Sequence, residues 1–463
     1  MCQGYFCHGC ACISKSEVAA VSPPVLLPCS TCVGQDEYEE SREKAVCFLF
    51  RKAGSSASCN PVQLRKSKGW ADQLGDLLYD LYYAGYRTVV EKHLPSFLDI
   101  VKAQLNHKIP PSVDPFHLLY YMGKCPIANT YLLAQVCRAQ AEDALSKSRL
   151  LLPTAATSAI PSPPGERPAI LRVGVYGFDL VQNSPLADLM WSPLQHFSQD
   201  QRYEIVLFAD GPVDKTHPPA KDIAQLFKGR LHLFPSGMAD SAKYAKFVEA
   251  KLNIVITLAG WTYGHLANVF AALGSGPSAI PVMHWLGWAG LMCMREGVHY
   301  MIAGSQALPK QQKQECKEFR ERLSLLPIYQ PCQNHPSHRD TGHPLTREHF
   351  NLPSAENCFI FCSSTTLNRL EREILFDWLG IVVRVTDSCL LLLSKPRSMH
   401  IRTKRWIKEY ITEVDPNFDP ARVIFRPVQK KPFYWGLLHA VGERGAVLDT
   451  VWPIGPHTSA TTL

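Results

Sequence analysis

Short apolar runs of strand length alternate with helical segments over most of this chain, from residue 170 to residue 448. The first set of runs lies at 170–175, 203–208, 231–234, 253–258, 280–285 and 299–302. Helical patterns fill the intervals at about 185–198, 217–228, 238–251 and 263–273. This alternation is typical of a parallel sheet that is covered by helices on both faces. We therefore predict an α/β fold.

A stretch rich in His, Pro and Gly at 331–346 interrupts the alternation, and a second set follows it. Strands are expected at 358–362, 389–393, 422–425 and 446–448, and helices at 366–381, 399–413 and 433–441. Two consecutive sets predict two Rossmann-like lobes that face each other across a cleft. Ligands of such sheets bind beyond the carboxyl ends of the strands.

The chain before residue 170 has a different character. Residues 1–67 show no sustained periodicity, which predicts a cysteine-rich, flexible leader. From residue 68 to residue 150, apolar side chains recur at helical spacing. The complete predicted organisation is a leader (1–67), a helical segment (68–150), a linker (151–169), an N-terminal lobe (170–330), an inter-lobe loop (331–352) and an incomplete C-terminal nucleotide-binding lobe (353–463).

Composition narrows the class of protein. The chain has 463 residues, of which 46% are hydrophobic and 19% are charged, and this excludes a mainly disordered chain or a coiled coil. No run of eighteen apolar residues occurs and no secretory signal is evident, so we expect a soluble protein that is not associated with a membrane. A net charge of +7 suits a phosphate-bearing ligand but predicts no nucleic-acid partner.

The C-terminal residues carry a possible phosphate site. A buried strand is expected to end at Leu448, and His457, Thr458 and Ser459 follow where a helix would begin. Backbone N–H groups and hydroxyls at a helix N-terminus bind phosphate without a metal. The alternative interpretation is that these hydroxyls only cap the helix.

The leader holds two C-x-x-C pairs, formed by Cys7, Cys10, Cys29 and Cys32. Two such pairs at this interval suit a tetrahedral structural zinc site. The alternative is an unstructured cysteine-rich leader. Four histidines of the inter-lobe stretch, His335, His338, His343 and His349, fit no ligand spacing, and we expect them in a solvated loop.

Several motifs resemble the O-linked N-acetylglucosamine (O-GlcNAc) transferase family, which includes the SPINDLY protein O-fucosyltransferases. In the N-terminal lobe they are LRVGVYGFD at 171–179, IVITLAGWTYG at 254–264 and MHWLGWAG at 283–290. In the C-terminal lobe they are RVTDSCLLLL at 384–393, RVIFRPV at 422–428, LDT at 448–450 and GPHTS at 455–459. KIPPSVDPFH at 108–117 resembles the family segment just upstream and favours the N-acetylglucosamine branch. The resemblance covers about residues 70–463.

This resemblance implies a GT-B architecture. It also implies transfer of N-acetylglucosamine from UDP-GlcNAc to Ser or Thr of intracellular proteins, with inversion, in the cytoplasm or nucleus. The expected partners are a UDP-sugar donor and protein acceptors, and transfer itself requires no cofactor. The alternatives are a catalytically impaired GT-B binding or scaffold protein and a protein O-fucosyltransferase that uses GDP-fucose.

The resemblance also assigns site residues. Arg369 lies where the family has its phosphate-binding lysine, and His117 lies beside the position of the histidine once proposed as general base. The residues expected to bind the UDP-sugar are Thr262, Thr366, Lys431, His457, Thr458 and Ser459.

The chain also departs from the family pattern. Phe116 replaces the family histidine itself, Tyr263 replaces a lysine and Thr462 replaces the ribose-binding aspartate. The match stops at Leu463, which predicts a divergent and C-terminally truncated member.

Overall fold

The structure is a computed structural model. It describes residues 35–53, 61–83, 87–121, 129–152, 168–262, 264–275, 279–288, 292–294, 296–304, 322–326, 335–338, 345–367, 370–394, 397–427, 431–442 and 444–448. The chain divides into two compact units, Met1–Leu132 and Leu133–Leu463. The division falls inside a helix, Thr130–Ser148, rather than in the stretch 151–169 that we predicted to be the linker.

The first unit is helical. Its helices are α1 (Gln35–Ala53), α2 (Pro61–Tyr83), α3 (Arg87–Asn106) and α4 (Pro115–Tyr121). The next helix, α5 (Thr130–Ser148), begins in this unit and continues into the second. The leader that we predicted to be flexible over 1–67 therefore contains α1 and the start of α2. Ala45, Val46, Leu49 and Ala53 are buried in the second half of α1, and the sequence of its first half is strongly charged. The charged first half of α1 hides this short stripe from a search for periodicity.

The first sheet belongs to the second unit and has seven strands, all of them parallel. The strands are β1 (Leu171–Tyr176), β2 (Tyr203–Asp210), β3 (Leu231–Phe234), β4 (Ile254–Thr257), β5 (Val282–His284), β6 (Tyr300–Gly304) and β7 (Leu323–Leu326). The helices are α6 (Pro185–Gln199), α7 (Pro218–Leu226), α8 (Asp240–Glu249) and α9 (Ala267–Ser275). The order of the strands in the sheet is β3-β2-β1-β4-β5-β6-β7. The first six strands confirm the predicted runs, whereas β7 was not predicted.

The second sheet has four parallel strands in the order β10-β9-β8-β11. The strands are β8 (Phe359–Thr366), β9 (Ser388–Leu393), β10 (Val423–Arg426) and β11 (Gly445–Val447), and the helices are α10 (Arg372–Arg384), α11 (Arg397–Glu413) and α12 (Lys431–Gly442). All six residues of β9 are buried, as its uninterrupted apolar run predicts. The predicted start of the first helix at residue 366 is wrong, because β8 continues to Thr366, which pairs with Leu393 after an irregularity.

Both sheets have the Rossmann strand order. The first strand of each sheet, β1 or β8, lies between the second strand and the fourth strand of its set. The chain direction across the sheet reverses at that point, and ligands of doubly wound folds bind there, beyond the carboxyl ends of the strands. The predicted α/β fold with two Rossmann-like lobes is confirmed. The two crevices lie beyond β1 and β4 in the first sheet and beyond β8 and β11 in the second.

The inter-lobe loop, predicted over 331–352, is not uniformly solvated. His335 is only 3% exposed. Its Nε2 lies 3.2 Å from a carboxylate oxygen of Asp222, its Nδ1 lies 2.7 Å from Ser337 Oγ, and its ring meets Trp191 edge-on. The expectation of a solvated loop is therefore wrong at His335, because an aromatic and an acidic partner from α6 and α7 are supplied only by the fold. Within the described ranges, no helix has the length and apolarity that crossing a membrane requires.

Candidate functional site at the carboxyl ends of the strands

The crevice of the second sheet lies beyond the carboxyl ends of two adjacent strands, β8 and β11. Strands β8 and β11 lie side by side, with Val447 paired to Cys362, and Leu448 N donates to Cys362 O at 2.7 Å. Both strands run in the same direction, so the segments that follow them leave the same edge of the sheet. One segment begins after Thr366 and the other begins after Leu448.

The predicted site residues divide into two groups. Thr366 is the last residue of β8, and Lys431 is the first residue of α12, which follows β10 in the chain. Arg369, His457, Thr458 and Ser459 lie outside the described residues. In the sequence, Arg369 comes after Thr366, where β8 ends, and before Arg372, where α10 begins. The cysteines of the predicted zinc site also lie outside the described residues.

The crevice of the first sheet contains a polar network that joins two strands, the loop after β4 and a helix. Tyr176, the last residue of β1, donates its hydroxyl to Gly264 O at 2.6 Å and lies 3.3 Å from a carboxylate oxygen of Asp210, the last residue of β2. Lys243 of α8 donates to the other oxygen of Asp210 at 3.0 Å. Burial, followed by the charge of Asp210, raises the pKa of Tyr176, so this phenol remains a neutral donor.

This network fixes the loop that follows β4. Gly264 has φ of 73°, and a Cβ atom there would lie 2.6 Å from the Cβ of Phe178. Gly260 has φ of 57° and packs directly against Trp288. Thr262, which we predicted to bind the donor, lies between these glycines and donates its hydroxyl to Ala259 O within the turn. Because the hydroxyl proton is used in this bond, the oxygen of Thr262 can act towards a ligand only as a hydrogen-bond acceptor.

A buried histidine lies beneath the same loop. His284, the last residue of β5, is 1% exposed, and its ring nitrogens lie 2.8 Å from Trp288 O and 3.2 Å from Thr257 O. Burial lowers the pKa of His284, although both carbonyl contacts oppose that shift. The neutral ring has one N–H group, so it donates to one of these two carbonyls.

We expect the free energy of unfolding to fall as the pH is lowered below about 6.5, the pKa of histidine in the unfolded chain. Because the folded state holds His284 with a lowered pKa, the unfolded chain binds that proton first, and acid favours unfolding. Urea titrations between about pH 6.5 and about pH 5 check this. His284→Gln should flatten the pH dependence, and His349→Gln, at an exposed position, should not. Equal slopes in both variants would contradict the assignment.

His117, the predicted catalytic residue, lies in α4 of the first unit. Its ring stacks on Tyr79 with centroids 3.8 Å apart and planes 13° apart. Burial lowers the pKa of His117, and the charge of Asp114 opposes this only in part. His117 therefore carries a neutral imidazole at pH 7, which is the form that a proton acceptor requires. The residues that we predicted to bind the UDP-sugar, and Arg369, all belong to the second unit of the chain.

Sequence reasoning missed Tyr176, Asp210 and Lys243. For the first two residues a signal exists, because each is a polar residue that ends a buried strand of the predicted sheet. Lys243 gives no such signal, since a lysine in a helix normally faces water. Among the residues that the structure describes, no group of three or more His, Cys, Asp or Glu side chains could hold a metal ion.

Comparison with known proteins shows what the chain as a whole is similar to. The chain is 25% identical over 339 residues to the probable UDP-N-acetylglucosamine–peptide N-acetylglucosaminyltransferase SEC of Arabidopsis thaliana. The chain is similar to an O-GlcNAc transferase. The alignment covers 72% of this chain and 32% of the plant protein, so the chain spans about a third of that relative. It confirms the resemblance that the motifs indicated. No protein-family model matches the chain.

The fold comparison agrees with the sequence comparison. A solved structure of a variant O-GlcNAc transferase from Thermobaculum terrenum superimposes with a TM-score of 0.51 and 16% identity. The superposition covers 92% of this chain and 81% of that one. At this identity the likeness concerns the fold alone, and it confirms the GT-B-like architecture.

Proposed function

We propose that this chain transfers N-acetylglucosamine from UDP-GlcNAc to Ser or Thr of protein acceptors, with inversion. The observation that carries the proposal is the adjacency of β8 and β11 at the crevice of the second sheet. Thr366 ends β8 and Arg369 follows it in the sequence, while His457, Thr458 and Ser459 follow β11. Similarity to the plant enzyme over 72% of the chain supports the choice of donor and reaction.

The chemistry of the leaving group explains these residue types. When the glycosidic bond to UDP breaks, the diphosphate leaves with additional negative charge. Hydrogen-bond donors and positive charge that are already in position stabilise this charge as it develops. In the proposed site Arg369 supplies the cation, while the hydroxyls and backbone N–H groups of 458–459 supply neutral donors at a helix start. Lys431, at the start of α12, supplies a second cation near the base and ribose. The transfer step itself needs no cofactor in this proposal.

The other parts of the proposal concern the acceptor. His117 with its neutral imidazole is the proposed proton acceptor for the attacking hydroxyl. The proposed acceptors are proteins of the cytoplasm or nucleus. Thr262 is proposed to accept a hydrogen bond from the donor sugar, since its own proton is used within the turn.

Calorimetric titration with UDP tests the site. We expect Arg369→Ala to weaken UDP binding roughly ten- to hundredfold, because a hydrogen bond to a charged group typically contributes about 1.5–3 kcal/mol. Arg369→Lys restores the cation that the family uses and should retain most of the affinity. Arg405→Ala, at an exposed position on α11, is the control and should leave affinity unchanged.

Equal affinity in all four proteins would remove Arg369 from the site. Parallel titrations with UDP-GlcNAc and GDP-fucose distinguish the alternatives. Preference for GDP-fucose would replace the proposed activity by O-fucosyl transfer. Nucleotide binding without transfer of labelled sugar to protein would favour a scaffold that retains the fold.

A further inference from the structure

Two buried thiols of the second sheet are in direct contact. Cys358 Sγ lies 3.2 Å from Cys389 Sγ, and the two side chains are 9% and 4% exposed. A disulfide bond has an S–S distance of about 2.05 Å. The sulfurs therefore need to approach by only about 1.2 Å to be joined.

The backbone holds these thiols against each other. Cys358 immediately precedes β8, Cys389 is the second residue of β9, and the strands pair with Ile360 opposite Cys389. Phe359 N donates to Asp387 O at 2.7 Å at the point where the two strands begin. Cys358 O accepts a hydrogen bond of 2.7 Å from the buried Arg347 guanidinium. The strand pairing and these hydrogen bonds fix the backbone at Cys358 and place it close to Cys389 on the neighbouring strand.

We propose that Cys358 and Cys389 form a disulfide-forming pair, a site of reversible oxidative modification between β8 and β9. The oxidant that we assign to it is a peroxide. The thiolate of Cys358, the more exposed of the two, attacks one peroxide oxygen, so that the O–O bond breaks, hydroxide leaves and a sulfenic acid forms on Cys358. The sulfur of Cys389 then attacks the Cys358 sulfur and expels the hydroxyl, which leaves as water with the Cys389 proton. In total, two thiols and one hydrogen peroxide give one disulfide and two waters.

The assignment of Cys389 to the second step has a physical reason. Burial raises the pKa of the Cys389 thiol to about 12, so it carries little thiolate at neutral pH and is a poor first nucleophile. A thiol that already touches the sulfenic acid needs no diffusion to react. The resulting bond would join the entry of β8 to β9 at the ends opposite the proposed diphosphate site.

Cys362 provides a matched control. It lies on β8, packs in the same apolar cluster as Cys358 and Cys389, and is 1% exposed. Burial raises its pKa to about 12 as well. Cys362 therefore matches Cys389 in strand environment, burial and acidity, and contact with a second sulfur is the feature that distinguishes Cys389.

The test treats the folded full-length chain with hydrogen peroxide, blocks the remaining thiols and identifies linked peptides by mass spectrometry. We expect a Cys358–Cys389 peptide as the dominant product among the sixteen cysteines, and its loss after reduction with dithiothreitol. Cys358→Ser and Cys389→Ser should each abolish this product, whereas Cys362→Ser should retain it. Oxidation after unfolding in guanidinium should remove the selectivity, because proximity then no longer favours this pair.

If the folded chain gives no such peptide, or joins Cys362 as often as Cys389, the proposal is overturned. Because the wild-type chain alone decides this, a variant that fails to fold does not affect the outcome. The result is also independent of nucleotide binding and of sugar transfer, so it stands or falls separately from the proposed function.

Discussion

Replacing Arg347 by alanine should lower the free energy of unfolding by about 3–5 kcal/mol, because a buried acceptor that loses its donor costs roughly 1–3 kcal/mol and Arg347 serves several of them. Arg347 is 4% exposed and its five guanidinium N–H groups all reach backbone carbonyls. The acceptors are Ala440 O at 3.1 Å, Pro353 O at 3.2 Å, Cys358 O at 2.7 Å, Val441 O at 3.4 Å and Arg444 O at 2.6 Å. Alanine would remove these side-chain donors, although Val441 O also accepts from Arg444 N at 3.2 Å, and it would open a cavity.

The position of these carbonyls makes the effect large. They belong to the end of α12, the turn before β11 and the segment that leads into β8. One side chain therefore joins a helix to the entries of two strands of the second sheet. Urea unfolding of the wild type and the variant gives the difference. Arg347→Lys should recover only part of it, because an ammonium has three donors on a single atom and not five in a plane. Arg138→Ala, at an exposed position, should change stability by less than about 0.5 kcal/mol. A loss for Arg347→Ala as small as that of Arg138→Ala would contradict this role.

The second large effect is expected for Gly260→Ala, in the loop that follows β4. An added Cβ atom would lie 2.2 Å from Trp288 Cβ and 2.8 Å from His284 Cε1, and the backbone has φ of 57°. The left-handed conformation costs an L-residue about 1–2 kcal/mol, and overpacking of a core typically costs about 1–3 kcal/mol. We therefore expect a loss of about 2–5 kcal/mol in the free energy of unfolding, measured by urea titration.

Gly229→Ala separates the two contributions. Gly229 has φ of 87°, and an added Cβ there would meet nothing within 4 Å. It should therefore cost only the conformational part, about 1–2 kcal/mol. If both variants lose the same stability, the contact with Trp288 and His284 contributes nothing. Because Thr262 lies in the loop that Gly260 shapes, Gly260→Ala should also weaken binding of the UDP-sugar, whereas Gly229→Ala should not.

The sequence by itself determined the type and order of most elements. Strand β9 is an uninterrupted apolar run with six buried residues, and β1 and β2 each end in a polar residue after a buried stretch. Such strands can be recognised from the local sequence, because an apolar run favours burial whichever strands pair with it. The family motifs follow the same strands, and so the two crevices could be predicted together with the lobes.

Elements whose burial depends on a partner were decided only by the tertiary structure. Helix α1 buries four residues of one short stripe, and α10 begins six residues later than expected because β8 first completes its pairing with β9. None of these carries enough local periodicity to be recognised without the element it packs against.

The buried polar contacts depend on the tertiary structure for the same reason. Arg347 finds its carbonyls up to 97 residues away, Lys243 meets Asp210 across 33 residues, and Cys358 meets Cys389 across 31. A sequence shows that a residue can donate, accept or carry charge, but it does not show which distant group will lie within 3 Å of it. Hydrophobic periodicity is a local property and a hydrogen-bond partner is not. The lobes could therefore be predicted from the sequence, while the contacts that hold the candidate site had to come from the fold.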